Sequence, residues 1–392
     1  MRYFCTIGAV LFAFLLQDCK KEKATTTTLD PADTLRINQI QIIASHNSYR
    51  KHTNDAVFTL LQSVKGSLPA SLNPDDLDYT HLNFEDQMNN YPIRGLEIDF
   101  YNDPLGGDFY NRQINPLASL ALESGIDALK YPGMKVLHIK DVDYETHYYT
   151  FVDALKALKS WSDSHPNHLP LFINIETKEE APGDNASLAG AGFKKAIPFD
   201  NPAADKIDEE IKSVFGNGLD KILTPDKMRK DLPDLNEIVK QNKWPTLGEA
   251  RGKIIFIMEG SAADNYLVGH PILENRAMFV YAKAGAPNAA FLILNGASTD
   301  EDSIRSKVSQ GYIVRTRADS GTKQARTGDY TNMNAAFRSG AQITSTDYYR
   351  PDYRSDTSAV WTNFQVKFPN GELARLNPIS AANANQNLKI KE

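Results

Sequence analysis

Cysteine is almost absent from this chain of 392 residues: there are two, Cys5 and Cys19, both in the N-terminal segment. Whatever folds beyond them has no disulfide framework, no thiolate metal site and no cysteine nucleophile. A metal would have to be held by oxygen and nitrogen, a donor set that favours hard cations such as calcium or magnesium. An excess of positive charge is missing too. Lys and Arg number 43 against 49 Asp and Glu, for a net charge of −6, which argues against general nucleic-acid affinity but leaves room for a basic cluster at an anionic substrate. There is no apolar run long enough to span a bilayer comfortably, no internal repeat, and no low-complexity tract beyond Thr25–Thr28. What is present is 41% hydrophobic residues, enough for a substantial core.

The apolar segment 4–16 follows Arg2 and ends at Leu16-Gln17-Asp18-Cys19, then Lys20-Lys21-Glu22-Lys23. A short apolar stretch closing on Cys before a charged, Thr-rich tail resembles a bacterial lipoprotein signal. The resemblance implies lipid on Cys19, a signal at 1–19, a flexible tether at 20–34 and a cell-envelope location; ordinary secretion is the alternative. Residues 35–392 are then one domain.

Apolar, β-branched runs recur at 40–44, 95–100, 134–139, 171–176, 254–258, 290–294, 311–316 and 342–346. The segment 278–281 competes for the sixth place. Amphipathic spacing of Phe151, Leu155, Leu158 and Trp161 predicts a helix over 149–162, and 332–338 reads as a short helix stopped by Gly340. Continuous apolar strands separated by helices imply a parallel sheet buried on both faces. Eight such units predict an α/β fold of the distorted (β/α)8 TIM-barrel type. The long interval at 181–246 is an insertion, with a helical patch at 203–215, and reads equally as a lid, a specificity loop or a surface elaboration.

Four of these runs end in chemistry. The first closes on Ser45-His46-Asn47-Ser48-Tyr49, the second carries Glu97-Ile98-Asp99, the third ends at His138 and the fourth at Glu176. In a parallel barrel the active site collects at the C-terminal ends of the strands. Glu97 and Asp99 are two apart and therefore share a face. Two buried neighbouring carboxylates repel, and a divalent cation resolves that conflict. Asn47 and Glu176 add two more oxygens, and four protein oxygens suit calcium better than magnesium, which uses fewer. His46 and His138 titrate near neutrality and are candidates for proton transfer. Lys178 shares a face with Glu176 and would touch an anionic substrate or pair with Glu176. Of Arg315 and Arg317, one would hold an anion at the barrel mouth. Asp347 and Tyr349 end the last strand, the first to orient a histidine or bind hydroxyls, the second to line a rim. His52, His81, His147, His165, His168 and His270 fall in predicted loops or helices and read as surface residues.

The order His46-Asn47, Glu97-x-Asp99, His138, Glu176, with the stretches 311–319 and 340–348, resembles the catalytic X-region of phosphoinositide-specific phospholipase C, in its calcium-dependent bacterial branch. The resemblance covers most of the chain after about residue 37. It implies a TIM-type barrel, calcium on Asn47, Glu97, Asp99 and Glu176, His46 stabilising the pentacoordinate phosphate, and His138 protonating the leaving diacylglycerol oxygen. It further implies attack by the inositol 2-hydroxyl to form a 1,2-cyclic phosphate, with Glu97 or Glu176 as base and a phospholipid headgroup at a membrane surface as substrate. Two other readings stand beside it. A glycerophosphodiester phosphodiesterase shares the barrel but usually begins with His-Arg-Gly where this chain has His46-Asn47-Ser48. A non-catalytic envelope lipoprotein binding inositol phosphates or glycans would be expected to lose a histidine or ligand.

Overall fold

In the computed structural model the described residues are 1, 30–69 and 72–392. The expected signal segment beyond Met1, Cys19 and most of the expected tether lie outside them. The folded unit spans Pro31–Glu392. Pro31–Thr34 is not tether: it forms a 3-10 turn with Ala32 fully buried, and Asp33 pairs with Arg251 at 2.7 Å. The domain therefore begins at Pro31 rather than Leu35.

Ten strands follow in order: β1 (Ile40–Ser45), β2 (Ile93–Tyr101), β3 (Lys135–Val136), β4 (Leu171–Thr177), β5 (Ile254–Gly260), β6 (Phe279–Val280), β7 (Phe291–Gly296), β8 (Ile313–Arg317), β9 (Ile343–Thr346) and β10 (Ala374–Leu376). The main path is β6-β5-β4-β2-β1-β9-β8-β7, with every neighbouring pair parallel. A parallel bridge between Tyr281 and Phe291 joins the two ends and leaves one thin seam, so the barrel is nearly closed. β10 pairs antiparallel with the start of β1.

Two differences from the sequence reading have physical causes. The segment 134–139 is no stave: only Lys135–Val136 is a strand, and it pairs antiparallel with Phe100–Tyr101. A parallel return needs a long crossover, usually a helix, and the chain between β2 and β3 carries only the 3-10 turns Asn115–Ala118 and Asp127–Lys130. The competitors for the sixth place are both staves, β6 and β7, so the barrel keeps eight.

Burial explains the run lengths. All nine residues of β2 are buried, as expected of a strand covered on both faces. Each large aliphatic chain so buried contributes about 1.5–3 kcal/mol before entropy is subtracted. Gly95 is required where β2 crosses β1, since a Cβ there would meet the Ala44 Cβ at 2.6 Å. The helix Phe151–Ser164 is capped by Thr150, whose side chain accepts from the Asp153 amide, and buries Phe151, Leu155, Leu158 and Trp161. The helix Asn201–Phe215 packs on it through a face containing Ala204, Ile207 and Ile211. The helical patch expected at 203–215 is thus part of the outer helical layer.

Candidate active site

The turn after β1 is held from several sides. Ser48 donates its amide to the Glu97 carbonyl at 2.9 Å and accepts the Glu97 amide on Oγ at 2.7 Å. Gln87 binds both Ser45 Oγ and the Ser48 carbonyl at 2.7 Å. Asn47 sits at φ 45°, a left-handed conformation that asparagine tolerates better than most residues. These bonds fix His46 and Asn47 over the ends of β1 and β2.

Register brings the acids together. Asp99 lies beside Glu176 across the β2–β4 pair, and one oxygen each from Glu97, Asp99 and Glu176 falls within a 4.8 Å group. Glu97 and Asp99 are essentially closed to solvent. Burial pushes the Glu97 carboxyl up to about 7 although Arg315 opposes it, and burial likewise raises Asp99. Burial pushes the same way on Glu176, but the Lys178 ammonium beside it holds that carboxyl below its ordinary range. Asn47 Nδ2 donates to Tyr79 Oη at 3.0 Å, so its amide oxygen faces the two Asp99 oxygens at 3.1 and 3.2 Å. Acceptor against acceptor repels. Either the amide turns over and donates to Asp99, or a cation lies between. Three carboxylates and one amide oxygen form a hard donor set that fits calcium.

The histidines are built alike. His46 Nδ1 is 2.8 Å from Asp347 Oδ1, and His138 Nδ1 is 2.8 Å from Asp143 Oδ2. In each case the carboxylate fixes the tautomer and leaves Nε2 for other work. Burial, then Arg317, lowers the His46 pKa to about 3; burial also lowers His138. His46, Asn47, His138, Lys178, Arg317 and Asp347 all line one cleft of about 820 Å³.

A family model for phosphoinositide phospholipase C, Ca2+-dependent, matches residues 35–378. The chain belongs to this family. It is accordingly an enzyme of the phosphoinositide phospholipase C class with calcium as its cofactor. The calcium-dependent phosphoinositol-specific phospholipase C of a Pseudomonas species has a similar fold: the TM-score is 0.52 at 14% identity, covering 88% of this chain and 96% of that one. The calcium-dependent enzyme of Streptomyces antibioticus aligns at 15% identity over 80% of this chain and 95% of its own, with a TM-score of 0.48. No curated protein sequence matches.

Within this family framework the expected site residues separate. His46, Asn47, Glu97, Asp99, His138, Glu176, Lys178 and Asp347 converge at one end of the barrel. Arg315 and Tyr349 do not line the cleft. Arg315 lies deeper than Arg317 on the same inward face, bonded to Glu97 and within 3.2 Å of Asn295; it neutralises Glu97 from below. Tyr349 is buried, accepts the Leu82 amide at 3.1 Å and stacks on His81. Two histidines expected at the surface are buried: His81, 3.8 Å from Asp347, and His168, whose Nε2 lies 2.8 Å from Ser162 Oγ. The loop carrying His81 folds over the barrel end instead of leaving it.

The sequence reading missed a buried network behind His138. Arg50 Nε donates to Asp143 at 2.6 Å, and Thr53 Oγ1 donates at 2.7 Å. It also missed Tyr79 on Asn47, and it left open which of Arg315 and Arg317 faces the cleft: Arg317 does, with Nη1 at 2.9 Å from His46 Nε2. The one usable signal was period two on β8, which puts Arg315 and Arg317 on one face at different heights.

Proposed function

We propose that this enzyme cleaves phosphatidylinositol-type lipids at the bond between phosphorus and the glycerol oxygen, giving diacylglycerol and inositol 1,2-cyclic phosphate, which water then opens to inositol phosphate. The observation that carries this reading is the pair of imidazoles, each anchored through Nδ1 on a buried carboxylate at 2.8 Å, lining one cleft beside an acidic cluster.

Asn47, Glu97, Asp99 and Glu176 would hold calcium. When bound, calcium supplies charge neutralisation and lowers the pKa of the inositol 2-hydroxyl. The remaining work falls to side chains. Arg317, paired with Asp347 at 2.9 Å, supports the phosphate oxygens together with His46. Glu97 or Glu176 takes the 2-hydroxyl proton as that oxygen bonds to phosphorus. His138 Nε2 gives a proton to the departing glycerol oxygen, and Asp143 stabilises the imidazolium that precedes the transfer. In the hydrolytic step His138 accepts the proton of the attacking water, and the 2-oxygen leaves with the proton held by the carboxylate.

We infer also that the enzyme works at a membrane surface in the bacterial cell envelope, tethered through lipid on Cys19. The segment ending at Cys19 and the apolar share of the cleft lining (Leu72, Ile139, Pro182, Leu188) support this; among the described residues no helix is long and apolar enough to cross a membrane. Cys19→Ala should shift the protein from the membrane to the soluble fraction.

The deciding experiment is phosphorus NMR of products from phosphatidylinositol vesicles with calcium. A cyclic inositol phosphate signal that vanishes with chelator is the expected result. Phosphate retained on glycerol would instead favour the glycerophosphodiester phosphodiesterase reading, and no turnover of these vesicles or of glycerophosphoinositol would favour a binding protein.

A further inference from the structure

Lys178 stands just past the end of β4, its amide donating to the Phe100 carbonyl at 2.9 Å. Its ammonium lies 3.0 Å from Glu176 Oε1 and 3.3 Å from Asp99 Oδ2. Among the described residues it is the only cation paired with either carboxylate; Glu97 has its own partner in Arg315. The side chain also lines the cleft and is 20% exposed, whereas Asp99 is closed to solvent. Lys178 therefore occupies the approach from the cleft to two proposed calcium ligands and uses oxygens that calcium would need.

Charge counting sharpens the point. Glu97 and Arg315 cancel. With both carboxylates ionised, as calcium binding would require, Asp99, Glu176 and Lys178 sum to one negative charge, and calcium turns that into one positive charge beside a singly charged phosphodiester. Without any cation, Asp99 and Glu176 would be adjacent, largely buried and uncompensated, an arrangement proteins do not tolerate cheaply. With calcium on the same oxygens, an ammonium within 3–4 Å of it would be strongly repelled.

We propose that Lys178 is the resident counter-cation of the calcium site: its ammonium holds Asp99 and Glu176 while calcium is absent, competes with calcium for their oxygens, and turns into the cleft toward the substrate phosphate once calcium binds. Lys178 is thus a positioning residue in the empty enzyme and a substrate contact in the loaded one. This rests on the assignment of Asp99 and Glu176 as calcium ligands.

The test is calcium titration calorimetry on the chelator-stripped full chain, with thermal melts in chelator and in calcium. Lys178→Met and Lys178→Gln should bind calcium about tenfold or more tightly than the wild type, melt lower in chelator, and gain more from calcium. Lys178→Arg, which keeps the charge, should bind calcium with an affinity near that of the wild type. In the wild type, acylation of Lys178 followed by mass spectrometry should speed up when calcium is added; this readout needs no variant and decides the matter if the neutral variants fail to fold. Unchanged or weaker calcium binding in a folded neutral variant overturns the proposal, as does Lys178 labelling indifferent to calcium. Asp99→Asn separates the two levels: calcium affinity undiminished in that variant would overturn the ligand assignment itself.

Discussion

The two histidine pairs share a plan and differ in where the arginine sits. Behind His138, Arg50 grips Asp143 from the far side and never meets the imidazole. At His46, Arg317 touches both Asp347 and the imidazole Nε2. The first arrangement buries its arginine and carboxylate completely; the second leaves Arg317 16% exposed in the cleft. An arginine behind the carboxylate strengthens a fixed platform and leaves Nε2 free to carry a proton. An arginine against Nε2 keeps the imidazole neutral in the empty cleft; a phosphate that draws Arg317 onto its oxygens would free Nε2 to take a proton and donate to the same anion. On the proposed mechanism, the same pair of residue types would serve as a proton donor on one side of the cleft and a phosphate clamp on the other.

The largest effects should fall on turnover. His46→Ala and His138→Ala should each lower kcat/KM by about a hundredfold or more, measured as release of water-soluble inositol phosphate, and chelation should remove turnover altogether. Equal activity in either variant would end the comparison.

Stability should discriminate the two carboxylates. Asp143→Asn strands a fully buried arginine and should cost about 3–5 kcal/mol in denaturant unfolding. Asp347→Asn leaves Arg317 partly solvated and still 3.6 Å from Asp319, and should cost about 1–2 kcal/mol. Equal losses would mean that the two platforms are not mechanically different.

A smaller shift should appear in titration. Burial and Arg317 hold the folded His46 pKa at about 3, below the 6.5 of an unfolded histidine. The unfolded chain binds the proton first, so His46 stabilises the fold above pH 6.5 and that contribution is lost as pH falls from 6.5 toward 3. Arg317→Met should raise the His46 pKa by about one unit, read by NMR of the imidazole, and leave His138 in place. A matching shift at both histidines would show that Arg317 acts on the whole cleft.

On turnover the smallest effect, none, is expected at His168, a control remote from the chemistry. Burial lowers its pKa to about 4, so it too withdraws stability as pH falls below 6.5. That loss, on the order of 3 kcal/mol at most, should vanish in His168→Gln without changing the pH dependence of kcat/KM.

Much of the site was legible because strand chemistry is periodic. Glu97 and Asp99, two apart among Leu96, Ile98 and Phe100, had to share one face of a buried strand, and His46, Asn47 and Glu176 followed runs whose ends converge in any parallel barrel. Residues 134–139 misled because an apolar run looks alike in a stave and in an antiparallel flap; what decided between them was the lack of a crossover helix, a property of the connection. Asp143 and Arg50 were invisible for a different reason. They sit in turns without a period, and only the folded chain brings them behind His138. Arg315 and Arg317 share a face, and their heights differ by one strand repeat, which sets one under Glu97 and the other in the cleft. Tyr349 was placed at the rim by its position alone, whereas packing against His81 and Tyr91 draws it into the wall.

The division of labour between the histidines can be tested with one pair of substrates. Diacylglycerol leaves phosphatidylinositol as a poor alkoxide and needs a proton; nitrophenolate leaves an inositol phosphate nitrophenyl ester without one. His138→Ala should lose about a hundredfold or more on the lipid but stay within about tenfold of the wild type on the nitrophenyl ester, while His46→Ala should lose heavily on both. Equal losses for His138→Ala on both substrates would contradict its assignment as the acid for the leaving oxygen.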